Sequence, residues 1–171
     1  MVHESRLSGE LRALLQTQRV AALGTLCEDG APLVSMVPFA IEPGSACLVI
    51  HVSGLAAHTR NLKTSPAVSL LILRAEIQGE PVHALPRVTL QGQAEALVRD
   101  SPAWQACRAA YLARFAEAEP MTQLGDFMFV ALHVNAARQV AGFGAARSID
   151  PHELAQVLRG ATGSGGIAGA D

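Results

Sequence analysis

The sequence contains no long uninterrupted apolar segment, although half of its 171 residues are hydrophobic. Much of that content is alanine, and no run approaches the roughly 20 residues that a helix needs to span a bilayer. A mean hydropathy of +0.26 therefore does not indicate a membrane protein. The first residues lack the basic-then-apolar pattern of a secretory signal, so we expect a cytoplasmic protein.

Charged residues are also scarce, at 16%, and the formal net charge is −2. Lysine and arginine are spread along the chain and form no basic stripe of the kind that binds a phosphate backbone. This distribution disfavours nucleic-acid binding. It leaves a small anionic ligand possible, because such a ligand needs only one or two local cations.

Three cysteines, Cys27, Cys47 and Cys107, are too few and too widely spaced for a CxxC motif. Zinc-binding and redox-motif interpretations are thereby excluded. We expect reduced, half-buried thiols.

Established catalytic motifs are missing as well: there is no GxSxG, HExxH, P-loop or GxGxxG sequence. Gly142-Phe143-Gly144 is only a GxG segment and follows no βαβ pattern. The six histidines show no metal-ligand spacing, so no metal site is predicted.

What the sequence does contain is a series of short strands joined by turn signals, as in an antiparallel barrel or sheet. The length fits one domain, which we assign to residues 1–159, followed by a flexible Gly/Ala/Ser-rich tail at 160–171. Pro38 indicates an edge or a bulge, and Gly92 indicates a bulge or bend. Strands are predicted at 20–26, 33–41, 46–52, 68–73, 87–98, 126–134 and 139–143. Helices are predicted at 7–18, with Ser5 or Ser8 as a possible cap, at 56–63, and from Asp100-Ser101-Pro102 to about 115. A last helix is predicted from Asp150 onward, with Glu153 placed to close a capping box.

The segment from Ser53 to Lys63 carries the most chemical information. It places hydroxyl groups, a glycine and two cations around the start of a short helix. Free backbone N–H groups and the helix dipole attract an anion at such a position. Arg60 and Lys63 could neutralise a phosphate there, although an ordinary solvated connector has the same spacing.

Several motifs, taken in order, resemble the pyridoxamine-phosphate-oxidase-related split-barrel flavoproteins, over about residues 11–158. The first half of the resemblance lies in Ala22-Leu23-Gly24-Thr25-Leu26, Asp29-Gly30-Ala31-Pro32, Ser35-Met36-Val37-Pro38, His58-Thr59-Arg60-Asn61-Leu62 and Ser65-Pro66-Ala67-Val68. Later motifs resemble the heme-utilisation branch of that family: Tyr111-Leu112-Ala113-Arg114-Phe115, Gly125-Asp126-Phe127 and Ala137-Arg138-Gln139-Val140-Ala141-Gly142-Phe143-Gly144.

The resemblance implies a mainly β fold with flanking helices, a six-stranded antiparallel Greek-key split β-barrel. It also implies a homodimer with two FMN sites between the protomers. The implied cofactor-binding residues are Ser35, Met36, Val37, Ser53, His58, Thr59, Arg60, Asn61, Lys63, Arg87 and Phe143. Ser35 to Val37 would lie along the flavin ring, and Ser53 with Thr59 to Asn61 would lie near the phosphate.

Two departures from the family bear on activity. Ser35 stands where the oxidase carries an arginine, and the oxidase's C-terminal substrate-binding arginine and tryptophan have no counterpart. We therefore expect an FMN-dependent oxidoreductase acting on another small molecule, with only His51 or His58 as candidate acid or base. The alternatives are a heme-binding or heme-degrading protein, with His133 or His152 as axial ligand, and a non-catalytic flavin-binding module.

Overall fold

The helices follow the capping signals of the sequence. In a computed structural model, which describes residues 5–160, the hydroxyls of Ser5 and Ser101 and the carboxylate of Asp150 cap three of them. Glu153 does not complete a capping box with Asp150, as its position suggested, because its carboxylate accepts hydrogen bonds from Ser8 and Arg147 instead. The four α-helices are α1 (Arg6–Thr17), α2 (Ala57–Thr64), α3 (Pro102–Arg114) and α4 (Pro151–Arg159). Most of the predicted tail, residues 161–171, lies outside the described residues.

The described strands form a single sheet in which every pairing is antiparallel, as predicted. Their order is β2-β1-β5-β6-β7-β4-β3, and β8 pairs with the end of β7. The strands are β1 (Val20–Leu26), β2 (Pro32–Pro38), β3 (Ala40–Glu42), β4 (Cys47–Ser53), β5 (Ala67–Leu73), β6 (Arg87–Ala96), β7 (Phe127–Val140) and β8 (Ala146–Ile149).

The two ends of the sheet are joined at Phe39. The predicted strand 33–41 is interrupted at this residue, so that β2 pairs with β1 while β3 pairs with β4. The backbone N–H of Phe39 leaves the ladder and donates to the carbonyl of Arg19 at 3.1 Å. Because one continuous segment supplies both edges, the sheet curls into a half-barrel.

The predicted count of six strands is not confirmed, since residues 5–160 contain eight. The predicted strands 126–134 and 139–143 are one strand, β7, which ends at Val140. The intervening residues lack an alternating apolar pattern because Asn135, Ala136 and Arg138 are exposed and only Ala137 is buried, and pairing with β6 and β8 holds the segment extended. β8 itself was not predicted.

Two apolar clusters hold the fold together. The first fills the concave side of the sheet and includes the buried leucines of α1 and α4. The second lies on the outer side, where α3 packs against β3, β4 and β7 through Cys107, Tyr111 and Phe115. Within residues 5–160, no helix combines the length and apolar character required to cross a bilayer.

The bulge predicted at Gly92 is confirmed, because the register between β6 and β7 shifts between Gln91 and Gly92. A Cβ at Gly92 would overlap the backbone carbonyl oxygen of His133. Gly92→Ala should therefore lower the free energy of unfolding by about 1–3 kcal/mol, measured by urea denaturation. Gly9→Ala is the matched control, since a Cβ there meets nothing within 4 Å and alanine favours a helix interior. Equal stability of the two variants would contradict this account.

Candidate functional site

The helix α2 packs against β1 and β2 and carries five of the eleven predicted cofactor-binding residues. It follows β4 after a three-residue turn, which is anchored to the start of β7. The N–H of Gly54 donates to the carbonyl of Asp126 at 2.5 Å, and the hydroxyl of Ser53 lies 3.4 Å from the carboxylate of Asp126. These bonds fix where α2 begins.

Buried polar side chains hold the inner face of α2 in place. The hydroxyl of Thr59 donates to the carbonyl of Ser53 at 2.6 Å, and the amide of Asn61 donates to the hydroxyl of Thr25 at 2.9 Å. Thr59 is 1% exposed and Asn61 is 9% exposed. Both therefore position α2 within the chain, and their contact with a cofactor stays a prediction.

His58 is oriented by one hydrogen bond and retains a free ring nitrogen. Its Nδ1 lies 3.0 Å from the hydroxyl oxygen of Ser35 on β2. Partial burial lowers the pKa of His58, so the ring is neutral at physiological pH. The remaining nitrogen, Nε2, has no hydrogen-bond partner in residues 5–160. A neutral imidazole with one nitrogen oriented and the other free is suited to bind a metal.

The outer surface of α2 presents its cations to solvent. Arg60 is exposed, and its guanidinium donates to the carbonyl of Leu55 at 2.9 Å. Lys63 is exposed in the last turn. The N-cap residue, Ala56, offers no side chain to the first N–H groups of α2, so the helix N-terminus keeps free donors beside Arg60. This arrangement can bind an anion.

The strand β2 divides the three predicted ring-contacting residues between two faces. Val37 is 2% exposed and belongs to the inner core, whereas Met36 is 66% exposed on the outer face. Ser35 points inward, toward His58. No part of residues 5–160 covers the outer face of β2, β1 and β5, which carries large exposed apolar side chains at Val20, Leu26, Val34, Met36 and Leu73.

Within one copy of the chain, Arg87 and Phe143 lie apart from the helix α2. Arg87 begins β6, and its guanidinium donates to the carbonyl of Leu85 at 3.0 Å. β6 is three strands from β2 in the sheet order, a separation of about 14 Å at the usual strand spacing. Phe143 is 91% exposed in the turn between β7 and β8. The structure therefore does not bring these two predicted residues together with His58 and Arg60.

The histidines considered as heme ligands or acid–base groups lie in different environments. His133 is exposed on β7, and its Nε2 lies 2.8 Å from the carboxylate of Glu95. His152 is exposed in the first turn of α4. His51 is buried on the outer side of β4, with its ring centroid 4.4 Å from that of Phe129.

Sequence reasoning missed the partners that give the site its shape. Thr25 and Asp126 were part of quoted motifs, but nothing local indicated that they bind Asn61 and the Ser53 loop. The uncovered apolar face did leave a signal. In Leu33-Val34-Ser35-Met36-Val37, apolar residues occur on both sides of the strand, which is unusual where one face meets water.

The comparisons with known proteins agree with this geometry. A family model described as pyridoxamine 5'-phosphate oxidase matches residues 7–141. The heme oxygenase HutZ of Vibrio cholerae is 31% identical over 153 residues, which cover 88% of this chain and 85% of HutZ. A solved heme-binding protein from Mycobacterium smegmatis superposes with a TM-score of 0.80 at 32% identity.

Some of these relatives are longer than this chain. The match covers 91% of this chain and 62% of the mycobacterial protein. The heme oxygenase HOZ of Arabidopsis thaliana is 34% identical over 139 residues, which are 80% of this chain and 41% of the plant protein. The common part is therefore the domain described above.

The buried ring of His51 makes stability sensitive to acid. Burial, with a smaller contribution from Arg99, lowers its pKa from 6.5 to about 4. Because the folded-state pKa is lowered, the unfolded chain binds the proton more readily than the folded chain. The contribution of the neutral His51 ring to the free energy of unfolding is therefore fully present above pH 6.5 and is lost as the pH decreases toward 4. The loss is up to about 3 kcal/mol, measured as the free energy of unfolding against pH.

His51→Phe keeps the aromatic packing and should reduce this acid-dependent loss. His58 contributes in the same direction, so in His51→Phe the slope of the free energy of unfolding against pH is reduced and not removed. His83→Phe, at an exposed position, is the control and should leave the slope in place. An identical pH profile for wild type and His51→Phe would refute the assignment.

Proposed function

This chain belongs to the pyridoxamine 5'-phosphate oxidase family, and we propose that it is a heme-binding protein whose heme is held beside α2. The observation that carries the proposal is that relatives about 30% identical over most of the chain are described as heme-binding and heme-oxygenase proteins. The bound heme would supply the redox and oxygen chemistry. What the chain contributes is a ligand, an anion site and an apolar surface.

His58 is the residue that we propose would ligate the heme iron. Heme iron takes a neutral imidazole nitrogen as a proximal ligand, and His58 is neutral with Nε2 free. The hydroxyl of Ser35 holds Nδ1 at 3.0 Å and so fixes the ring orientation. His133 fits less well because Glu95 engages its Nε2.

The surroundings of His58 suit an amphiphilic ligand. Leu55, near the start of α2, is 78% exposed and offers apolar surface to a macrocycle. Arg60 and the free N–H groups at the start of α2 offer charge-assisted hydrogen bonds to its carboxylates.

Hemin titration tests this proposal. Wild-type protein should give a saturable shift of the Soret band, and His58→Ala should weaken heme binding by at least about 10–100-fold, because even the loss of a residue that only orients a ligand costs that much. His83→Ala is the matched control at an exposed site and should bind as wild type does. An unshifted Soret band in wild type would exclude heme. A shift that is retained in His58→Ala but lost in His133→Ala or His152→Ala would overturn the ligand assignment alone.

FMN is a second candidate, favoured by the family match and by the anion-binding features at the start of α2. The same titration performed with FMN separates the two cofactors, because flavin absorption is distinct from the Soret band. If FMN binds, Arg60→Ala should weaken it by about 10–100-fold, at 1.4 kcal/mol per decade. Lys63→Ala, an exposed cation in the last turn, should change it little. Riboflavin, which lacks the phosphate, should bind both variants equally.

We also propose that the chain acts as a homodimer through the uncovered outer face of β2, β1 and β5. Five large apolar residues are 40–70% exposed there, and contiguous apolar surface of this kind marks an interaction site. The separation of Arg87 and Phe143 from α2 supports the same proposal, since a second copy could bring them to the cofactor.

Val34→Glu places a charge in this face and should convert a dimer into a monomer, because an unpaired buried charge strongly disfavours association. The measurement is molar mass by sedimentation or light scattering. Val98→Glu is the matched control, because Val98 is also an exposed valine, at 76% against 70% for Val34, and lies outside this face. A monomeric wild type, or a dimeric Val34→Glu protein, would contradict the proposed interface.

A further inference from the structure

The imidazole ring of His58 meets a hydroxyl group across two elements whose backbones are fixed by other bonds. Ser35 lies opposite Leu23 in the ladder of β1 and β2. His58 is the second residue of α2, and the next residue, Thr59, anchors that helix to the carbonyl of Ser53 at 2.6 Å. The 3.0 Å contact between the Ser35 oxygen and Nδ1 of His58 therefore joins two rigid supports.

The hydroxyl distinguishes this contact from the usual environment of a metal-binding histidine. Such a histidine commonly donates its second ring N–H to a carboxylate or a backbone carbonyl, which can only accept. That kind of partner keeps the proton on one nitrogen and leaves the lone pair of the other nitrogen available. A serine hydroxyl can both donate and accept, so it can pair with either neutral tautomer of His58.

The surroundings of Ser35 decide which tautomer the unliganded chain adopts. Within residues 5–160, the hydroxyl has no hydrogen-bond partner other than His58, and it faces the inner side of β2, where Leu23 is fully buried and Val37 is 2% exposed. If the hydroxyl accepts from Nδ1–H, its own hydrogen is left among apolar side chains without an acceptor. If it donates to Nδ1, that hydrogen is paired and the ring proton lies on Nε2. The second arrangement is favoured, because an unpaired polar group is costly away from water.

We propose that Ser35 is a positioning residue that exchanges hydrogen-bond roles with His58 when a metal centre binds at Nε2. In the unliganded chain the hydroxyl donates to Nδ1, and Nε2 carries the ring proton. Ligation needs the lone pair of Nε2, so one proton leaves Nε2 for water, one proton from water is taken up by Nδ1, and the hydroxyl rotates to accept from it. The net charge of the pair is unchanged.

This inference rests on the proposed ligation of heme by His58 and adds a requirement to it. Ligation needs a hydroxyl at position 35, because only a group that can both donate and accept pairs with the ring in both states. Part of the free energy of ligation goes into the change of tautomer, since the unliganded ring is stabilised by its own hydrogen bond. The site is therefore suited to release its ligand as well as to bind it.

Two substitutions of Ser35 isolate the hydroxyl. Threonine and valine have the same shape and both favour strands, so Ser35→Thr and Ser35→Val perturb β2 alike and differ in the hydroxyl alone. Ser69→Ala is the control for loss of a strand serine. Ser69 is also half-buried, pairs with Gly24 of β1, and makes no side-chain hydrogen bond within residues 5–160.

The first measurement uses the protein without cofactor. In protein with isotope-labelled histidine, long-range proton–nitrogen correlation spectra show which ring nitrogen carries the proton, and comparison with His58→Ala assigns the signals. We expect the proton on Nε2 in wild type and in Ser35→Thr, with the Nδ1 resonance of both shifted by the hydrogen bond that it accepts. Ser35→Val should lose that shift. A proton on Nδ1 in the unliganded wild type, or identical Nδ1 resonances in the two variants, would overturn the inference.

The second measurement adds zinc protoporphyrin, a diamagnetic porphyrin whose metal takes one axial nitrogen, and compares hemin affinities. In wild type and Ser35→Thr, the ring proton should appear on Nδ1 once the porphyrin is bound. Ser35→Val should bind hemin about 10–100-fold more weakly than Ser35→Thr, and Ser69→Ala should bind as wild type does. Equal hemin affinity of the threonine and valine variants would overturn this inference and leave heme binding intact, whereas a wild type that binds neither porphyrin would overturn both.

Discussion

The fold depends on a single constraint, the closure of the sheet at Phe39. One extended segment serves as the partner of β1 before this residue and as the partner of β4 after it. Phe39 is fully buried, and its N–H is satisfied by Arg19 outside the ladder. The closure seals the inner core, so α3 packs on the outer surface of the sheet, over β3, β4 and β7. Among the described residues the outer face of β2, β1 and β5 is left exposed and is available to a partner, whereas Ser35 and His58 meet on the inner side of β2.

Arg114 connects this closure to the helices. Its guanidinium lies 4.9 Å from the centre of the Phe39 ring and donates to the carbonyls of Leu15, Gln16 and Gln18 at the end of α1. A half-buried cation is tolerated here because the last carbonyls of a helix lack intrahelical partners and carry partial negative charge. The same side chain thus caps α1, packs on the closure and fixes the end of α3.

Local signals were sufficient to predict the helices but not the sheet boundaries. Serine and aspartate caps act over two or three residues, so Ser101 and Asp150 could be read directly, whereas Ser5 and Ser8 both fitted the start of α1. The break at Phe39 and the merging of two predicted strands into β7 depend on which strands pair, and that information is not local. The site divides in the same way. The sequence indicated a short helix after Ser53, and cofactor binding by its residues stays a prediction. The contact of His58 with Ser35 and the distance of Arg87 from both required the tertiary structure.

The interface between α3 and the sheet contains a titratable ring in an apolar layer. His51 lies beside Tyr111, with ring centroids 5.8 Å apart, and its ring centroid is 4.4 Å from that of Phe129. Cys107 and Tyr111 are four residues apart on α3 and so share one helical face. Cys47 and Cys107 are both buried in this layer, whereas half-buried thiols were expected. Protonation of His51 adds a charge to this layer and weakens the docking of α3, so acid acts on a contact that is separate from His58 and Arg60.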